Sequence, residues 1–123
     1  VEETFGASVQ HIAFATADIF ATAARLAERG FPLLQIGENY YDDVEARFGL
    51  DPALVARMRA AKVLYDEDAG GQFFQLYSAP RPDGFFLEIV QRQGNYLGYG
   101  APNAPFRIAA QKRYARPAGM PRL

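Results

Sequence analysis

The sequence predicts an α+β fold in which a curved sheet surrounds a cavity and carries its helices on the outside. The first observation is size, because 123 residues that are 50% apolar and 22% charged suit one globular domain with its own core. The second is the order of the local patterns: strand, helix, strand, helical insert, several strands and a closing helix. The third is the apolar run at residues 84–92, which is typical of a buried strand.

Each element has its own local signal. Alternating side chains predict a strand at residues 8–15, and Asp18 and Gly30 then fit the N-cap and the stop of a helix. Residues 31–36 are expected to form a short second strand. The remaining predictions are helices at residues 40–48, 52–61 and 106–115, strands at 63–65, 72–78 and 84–92, and a loosely ordered tail from residue 117.

One acidic residue interrupts the most apolar of these strands. Glu88 lies where an unpaired ionised carboxylate would cost roughly several kcal/mol, so it must be protonated, paired with a cation or bound to a metal. The basic side chains that could pair with it are Arg92, Arg107 and Lys112. Glu88 is therefore a candidate functional residue.

His11, the sole histidine, is the second candidate. The period of two along a strand allows His11, Glu88 and Gln75 to point to one concave face. An imidazole and a carboxylate on rigid strands suit a divalent metal, and two histidines with one carboxylate form the usual iron(II) triad. The alternatives are a core histidine with ordinary hydrogen bonds and a Gln75 that bonds only within the sheet.

The composition excludes several other classes of function. A net charge of −1 argues against a general nucleic-acid surface, and no apolar run is long enough to span a bilayer. Without cysteine there are no disulfides or zinc–thiolate sites, and the cytosol is the expected location. No hydrolytic triad or phosphate-binding motif is present, so no catalytic residue is assigned. The chain begins with Val1, and we expect it to be the C-terminal part of a longer polypeptide.

Two segments together resemble a known family. Val-Gln-His-Ile-Ala at residues 9–13 and Phe-Leu-Glu-Ile-Val-Gln-Arg at residues 86–92 resemble the two metal-bearing strands in the second half of 4-hydroxyphenylpyruvate dioxygenase, of the vicinal-oxygen-chelate superfamily. Residues 39–41, 64–66 and 75–78 match in the same order, so the resemblance covers about residues 8–115. It implies a βαβββ half-barrel with a helical insertion and a C-terminal helix, here a single half-domain over residues 1–123.

The resemblance also implies a site. His11 and Glu88 would be two of three iron(II) ligands, although Mg or Mn is also possible, and an upstream module would supply the third ligand, a histidine. Gln75, Phe86 and Tyr99 match residues that border the substrate pocket in the family. A small molecule such as a 2-oxo acid would be the ligand, and the open concave face predicts pairing with another module or a homo-oligomer.

The segment that closes the pocket departs from the dioxygenases. At residues 98–105, Pro102 stands where they have a glycine and Ala104 where they have a phenylalanine, which argues against an aromatic 2-oxo acid as substrate. Residues 39–43, 46–51 and 103–105 are more similar to the dioxygenase-like C-terminal domain that follows a sugar-isomerase-like barrel in bacterial 3-dehydroshikimate dehydratases. In that subgroup of dehydratases, the dehydration resembles the chemistry of the barrel, so the resemblance assigns it to the barrel domain and not to the dioxygenase-like domain.

These similarities favour a metal-binding accessory module of a dehydratase-type protein, inactive as an isolated chain of 123 residues. The alternative is the catalytic half of a non-haem iron(II) oxygenase that acts on a 2-oxo acid, with Gln75 orienting the substrate. Ala104 and the lack of a second histidine favour the accessory module.

Overall fold

The computed structural model describes residues 11–114, which form one mixed four-stranded sheet and four α-helices. The elements are β1 (His11–Ala15), α1 (Ile19–Glu28), α2 (Glu38–Phe48), α3 (Pro52–Ala61), β2 (Leu64–Asp68), β3 (Gly71–Tyr77), β4 (Phe86–Gly94) and α4 (Ala104–Lys112), with a 3-10 turn at Ala101–Asn103. The strand order is β1-β4-β3-β2, in which β1 runs parallel to β4 and the other neighbours are antiparallel. The predicted α+β class and the βαβββ order with a helical insertion are confirmed. Residues 8–10, residue 115 and the tail from residue 117 lie outside the described range.

The helix ends follow the signals in the sequence. The Asp18 carboxylate accepts a hydrogen bond of 3.0 Å from the backbone N–H of Ala21, as an N-cap does. Asp51 caps α3 in the same way, with proline at the first helical position. Gly49 ends α2 with a φ of 63°, a backbone conformation that glycine adopts without steric cost. These local interactions make α2 and α3 a separate helical insert between α1 and β2.

The predicted strand at residues 31–36 is wrong in its extent. Only Leu33 forms a bridge, with Ser78 just beyond β3, although Leu34 and Ile36 are buried. Pro32 has no N–H to donate, and the chain turns into α2 at Glu38 before a second pair of strand bonds can form. The segment therefore packs as buried coil along the end of the sheet.

The two faces of the sheet have different surroundings. On one face, Phe74 packs edge-on against Tyr65 and against Phe20 of α1, with ring centroids 5.1 and 6.1 Å apart. On the other face, Phe73 stacks on Tyr96 at 4.8 Å. Because side chains alternate along β3, the residues between these aromatics also divide between the two faces. The second face carries the residues that the sequence singles out.

Strand β1 is an edge of the sheet and is exposed along its whole length. Ile12 and Phe14 are 44% and 51% exposed, and β1 has a strand partner on only one side within the described residues. A long, apolar, unpaired edge is where another strand or module would add. None of the helices in residues 11–114 is long and apolar enough to cross a membrane.

Gly71→Ala is expected to destabilise the hairpin of β3 and β4. A Cβ atom at Gly71 would lie 2.0 Å from the carbonyl oxygen of Gln93, and backbone cannot move aside without breaking the sheet. We expect a loss of about 1–3 kcal/mol in the free energy of unfolding, measured by urea denaturation followed by circular dichroism. The matched control is Gly37→Ala, whose Cβ would meet only side-chain atoms at 3.3 Å or more. Equal stability of the two variants would contradict the close approach.

Candidate metal site

The register of β1 and β4 brings the two candidate ligands together. His11 is paired with Phe86, and Ala13 with Glu88, so His11 and Glu88 stand diagonally on neighbouring strands. His11 Nε2 lies 3.4 Å from Glu88 Oε1. The imidazole is stacked on the Phe86 ring, with the centroids 5.0 Å apart and the planes 3° from parallel, which fixes its orientation.

Glu88 is buried, and His11 is the one basic side chain within 4.0 Å of its carboxylate among the described residues. Arg92 instead donates to the carbonyl oxygen of Gly98, and Arg107 to Gln111. The alternative in which Arg92, Arg107 or Lys112 neutralises Glu88 is therefore wrong. The remaining compensation for this carboxylate is hydrogen bonding together with His11 or a metal.

A fully buried chain of polar side chains holds the carboxylate from behind. Gln75 Nε2 donates to Glu88 Oε2 at 2.7 Å and to the Tyr77 hydroxyl at 2.8 Å. Gln75 Oε1 accepts from Asn103 Nδ2 at 2.8 Å. Asn103 Oδ1 in turn accepts from the Tyr40 hydroxyl of α2 at 2.8 Å. Glu88 is thereby tied through two amides to the helical insert.

The direction of this chain follows from chemistry. An ionised carboxylate only accepts hydrogen bonds, so Gln75 must turn its NH₂ group to Glu88 and its oxygen to Asn103. Asn103 must then present its own NH₂ to Gln75, which leaves its oxygen for Tyr40. Every member has partners on both sides, which is the condition under which a buried polar network adds rigidity.

The two phenols that end this chain, Tyr77 and Tyr40, remain neutral at physiological pH. Burial and, after it, the negative charge of Glu88 raise the pKa of Tyr77 far above its ordinary value. Burial likewise raises the pKa of Tyr40, against the smaller effect of its hydrogen bond with the Tyr65 backbone. Neither phenol therefore adds a second negative charge beside Glu88.

A cavity of about 360 Å³ opens in front of His11 and Glu88. Its aromatic lining consists of Phe73, Tyr77, Phe86 and Tyr99. Phe86 and Tyr99 both line this cavity, with Tyr99 82% exposed at the rim, and their contact with a substrate stays a prediction. Gln75 does not line the cavity, since it is fully buried behind Glu88, and it bonds both within the sheet and to Asn103 outside it. Its contact with a substrate stays a prediction.

The pair His11 and Glu88 fits a shared metal. Two ligand atoms each about 2.1 Å from a metal and about 3.4 Å apart subtend roughly 108° at it, within the range of common coordination geometries. The separation of 3.4 Å is also longer than an ordinary N–H···O hydrogen bond. Because Glu88 Oε2 is occupied by Gln75, Oε1 is the oxygen directed at His11. Among the described residues, no further histidine, cysteine or carboxylate joins His11 and Glu88 as a third metal ligand.

Asn103 is the site residue that sequence reasoning missed. It precedes α4, where an asparagine ordinarily caps the helix, yet it makes no side-chain cap bond and turns inward to Gln75. The sequence signal that could have indicated it is the glycine at position 100, since the structure shows that a Cβ there would lie 2.1 Å from Gln75 Oε1. A glycine at a φ of 69° there lets the 3-10 turn bring Asn103 against β3.

Comparison with known proteins finds clear relatives, although no family model matches the chain. A 3-dehydroshikimate dehydratase of Pseudomonas aeruginosa is 47% identical over 112 residues, which is 90% of this chain and 18% of that protein. A 4-hydroxyphenylpyruvate dioxygenase of Caenorhabditis elegans is 38% identical over 104 residues, 80% of this chain and 26% of the enzyme. A solved fusion of a xylose isomerase-like TIM barrel with 4-hydroxyphenylpyruvate dioxygenase superposes with a TM-score of 0.82 at 47% identity, over 86% of this chain and 17% of the fusion.

The fold, the placement of His11 beside Glu88 and these similarities identify the chain as a 4-hydroxyphenylpyruvate dioxygenase-like module. Its identity to the Pseudomonas dehydratase and to the TIM-barrel fusion, 47% in each case, is higher than its identity to the nematode dioxygenase, 38%. The resemblance stated from the sequence is confirmed. The chain spans less than a fifth of the dehydratase and about a quarter of the dioxygenase.

Proposed function

We propose that this chain is the metal-binding, dioxygenase-like C-terminal module of a longer protein of the 3-dehydroshikimate dehydratase type. The observation that carries the proposal is the 3.4 Å separation of His11 Nε2 and Glu88 Oε1 at the base of a cavity, with the other carboxylate oxygen held by Gln75. The donor set of imidazole and carboxylate suits iron(II) first, and Mn or Mg second.

Each residue of the site has a separate task. Glu88 supplies the negative charge, and the buried amides of Gln75 and Asn103 keep it from rotating. His11 supplies a neutral nitrogen, oriented by its stack on Phe86. A bound divalent ion would act as a Lewis acid toward oxygen atoms of a ligand in the cavity. The aromatic lining excludes water around that ligand and binds its apolar part.

Another module of the same polypeptide would complete the site. The chain has one histidine and the family arrangement needs two, so the third ligand comes from elsewhere. The unpaired edge of β1, with Ile12 and Phe14 exposed, is a suitable surface for that module. The small share of the dehydratase and of the fusion that this chain covers supports a larger protein of which it is one part.

The alternative function is the catalytic half of an iron(II) oxygenase that acts on a 2-oxo acid. The identity of 38% to a 4-hydroxyphenylpyruvate dioxygenase and the placement of His11 beside Glu88 favour it. Ala104 disfavours it, because this residue lines the cavity and, by the resemblance, stands where the dioxygenases have a phenylalanine. We therefore place it second.

Two assays on the complete polypeptide separate these functions. With iron(II) and 4-hydroxyphenylpyruvate, we expect an oxygen electrode to show no uptake above that of iron(II) alone. With 3-dehydroshikimate, we expect loss of water, followed by the absorbance of the aromatic product. Oxygen uptake that depends on both iron(II) and the 2-oxo acid would replace the first function with the second. If the complete polypeptide neither dehydrates 3-dehydroshikimate nor takes up oxygen, both proposed functions are contradicted.

A further inference from the structure

Two arginines face the same cavity as the metal site. Arg107 of α4 lies over the rings of Tyr77 and Phe86, with its Cζ 5.7 and 5.3 Å from their centroids. Arg92 lies further along β4, over Phe73, with its Cζ 4.8 Å from that centroid. Both guanidinium groups are thus held on aromatic faces that form the cavity wall.

Neither arginine has a carboxylate partner within the described part of the chain. Arg107 donates one hydrogen bond, of 2.9 Å, to the side-chain oxygen of Gln111. Arg92 donates one, of 3.2 Å, to the carbonyl oxygen of Gly98. Both of these acceptors are neutral, so they leave the positive charges uncompensated. A guanidinium has five N–H donors, most of which are still available to a ligand.

The charges around the cavity favour an anion with more than one acidic group. With a divalent ion on the neutral His11 and the ionised Glu88, the metal centre retains about one positive charge. Arg92 and Arg107 add two more charges, whereas Glu88 is the one acidic residue of the lining. A monocarboxylate would offset only the charge at the metal, and in a partly buried cavity the remaining charges would attract a second anionic group.

We infer that the cavity takes a small dicarboxylate, with one acid group at the metal and the other on Arg107. The inference rests on the proposed metal site and adds the ligand class. The planar guanidinium matches a carboxylate with two parallel hydrogen bonds, and the aromatic walls suit a flat carbon skeleton between the two acids. A volume of about 360 Å³ lies at the small end of ligand cavities and fits a compact acid.

The test uses two acids that differ only in the second carboxylate, 2-oxoglutarate and 2-oxopentanoate. Each is titrated calorimetrically into the complete protein, loaded with Mn(II) so that no turnover occurs. We expect 2-oxoglutarate to bind at least about tenfold more tightly than 2-oxopentanoate, because a charge-assisted pair contributes an effect of that order. Arg107→Gln should reduce this preference to about twofold or less, whereas Arg25→Gln on the exposed surface of α1 should retain it.

The outcomes distinguish this inference from the metal site itself. Mn(II) affinity is measured first, and Arg107→Gln should not weaken it, because Arg107 is not a metal ligand and its positive charge repels the ion. If Mn(II) does not bind, the proposed metal site is wrong. The same two acids are then compared in the metal-free protein, where Arg107→Gln must still weaken the binding of 2-oxoglutarate. Equal affinity of the two acids, a preference that survives Arg107→Gln, or binding of neither acid in either form would overturn the dicarboxylate.

Discussion

Glu88→Ala is expected to lower the affinity of the complete protein for a divalent metal by about 100-fold or more. Glu88 Oε1 is the proposed anionic ligand, and none of the other described acidic residues lies close enough to His11 to replace it. His11 would remain as one neutral nitrogen, which holds a hard divalent ion poorly. Isothermal titration with Mn(II), before and after removal of bound metal by a chelator, measures the change.

A second variant separates ligand loss from misfolding. Glu88→Gln keeps the volume of the side chain and an oxygen that can accept from Gln75, so the sheet should be preserved in far-ultraviolet circular dichroism. It removes the charge and should still lower metal affinity by at least about tenfold. Glu28→Ala, at the exposed end of α1, is the matched control and should change neither the metal affinity nor the circular dichroism. If both Glu88 variants bind Mn(II) with wild-type affinity, Glu88 is not a metal ligand.

Asn103→Ala is expected to cause the largest loss of stability, about 2–4 kcal/mol in the free energy of unfolding. The fully buried amide donates to the Tyr65 carbonyl and to Gln75, and accepts from Tyr40. Alanine would leave Gln75 Oε1 without its donor, at a cost of about 1–3 kcal/mol, and would remove one partner each from the Tyr65 carbonyl and the Tyr40 hydroxyl, which still bond to each other. Thermal unfolding of the complete protein, followed by circular dichroism and calorimetry, measures the loss.

Asn39→Ala is the matched control, because Asn39 is exposed near the start of α2. Asn39→Ala should change the free energy of unfolding by no more than about 0.5 kcal/mol. Since Asn103 also supports Gln75 behind Glu88, its variant should bind Mn(II) more weakly than wild type under conditions where it is still folded. A stability for Asn103→Ala equal to that of Asn39→Ala would show that water replaces the lost partners.

The pairing of His11 with Glu88 could be anticipated from the sequence because both lie on strands with a clear period of two. The phase of a strand predicts which side chains share its face, and the cost of burying a carboxylate predicts that Glu88 needs a partner. The alternation along a strand does not predict which strand lies beside it, however, since the parallel pairing of β1 with β4 joins segments far apart in the chain. Which basic side chain lies beside Glu88, His11 or one of the arginines, therefore had to come from the structure.

Other features depend on tertiary contacts with weak local signals. Residues 31–36 have the composition of a strand, but Pro32 and the start of α2 limit their pairing to one bridge. Asn103 stands at a capping position and bonds instead to Gln75, which lies on another element. Arg107 is one of several basic residues on α4, and only the packing of that helix shows that it faces the cavity.

The most direct measurement is a crystal structure of the complete protein with Mn(II), in which anomalous scattering locates the metal. We expect one strong peak within about 2.3 Å of both His11 Nε2 and Glu88 Oε1, with a histidine from outside this chain segment as a third ligand. A structure that shows His11 donating a hydrogen bond directly to Glu88, and the manganese bound elsewhere or not at all, would contradict it.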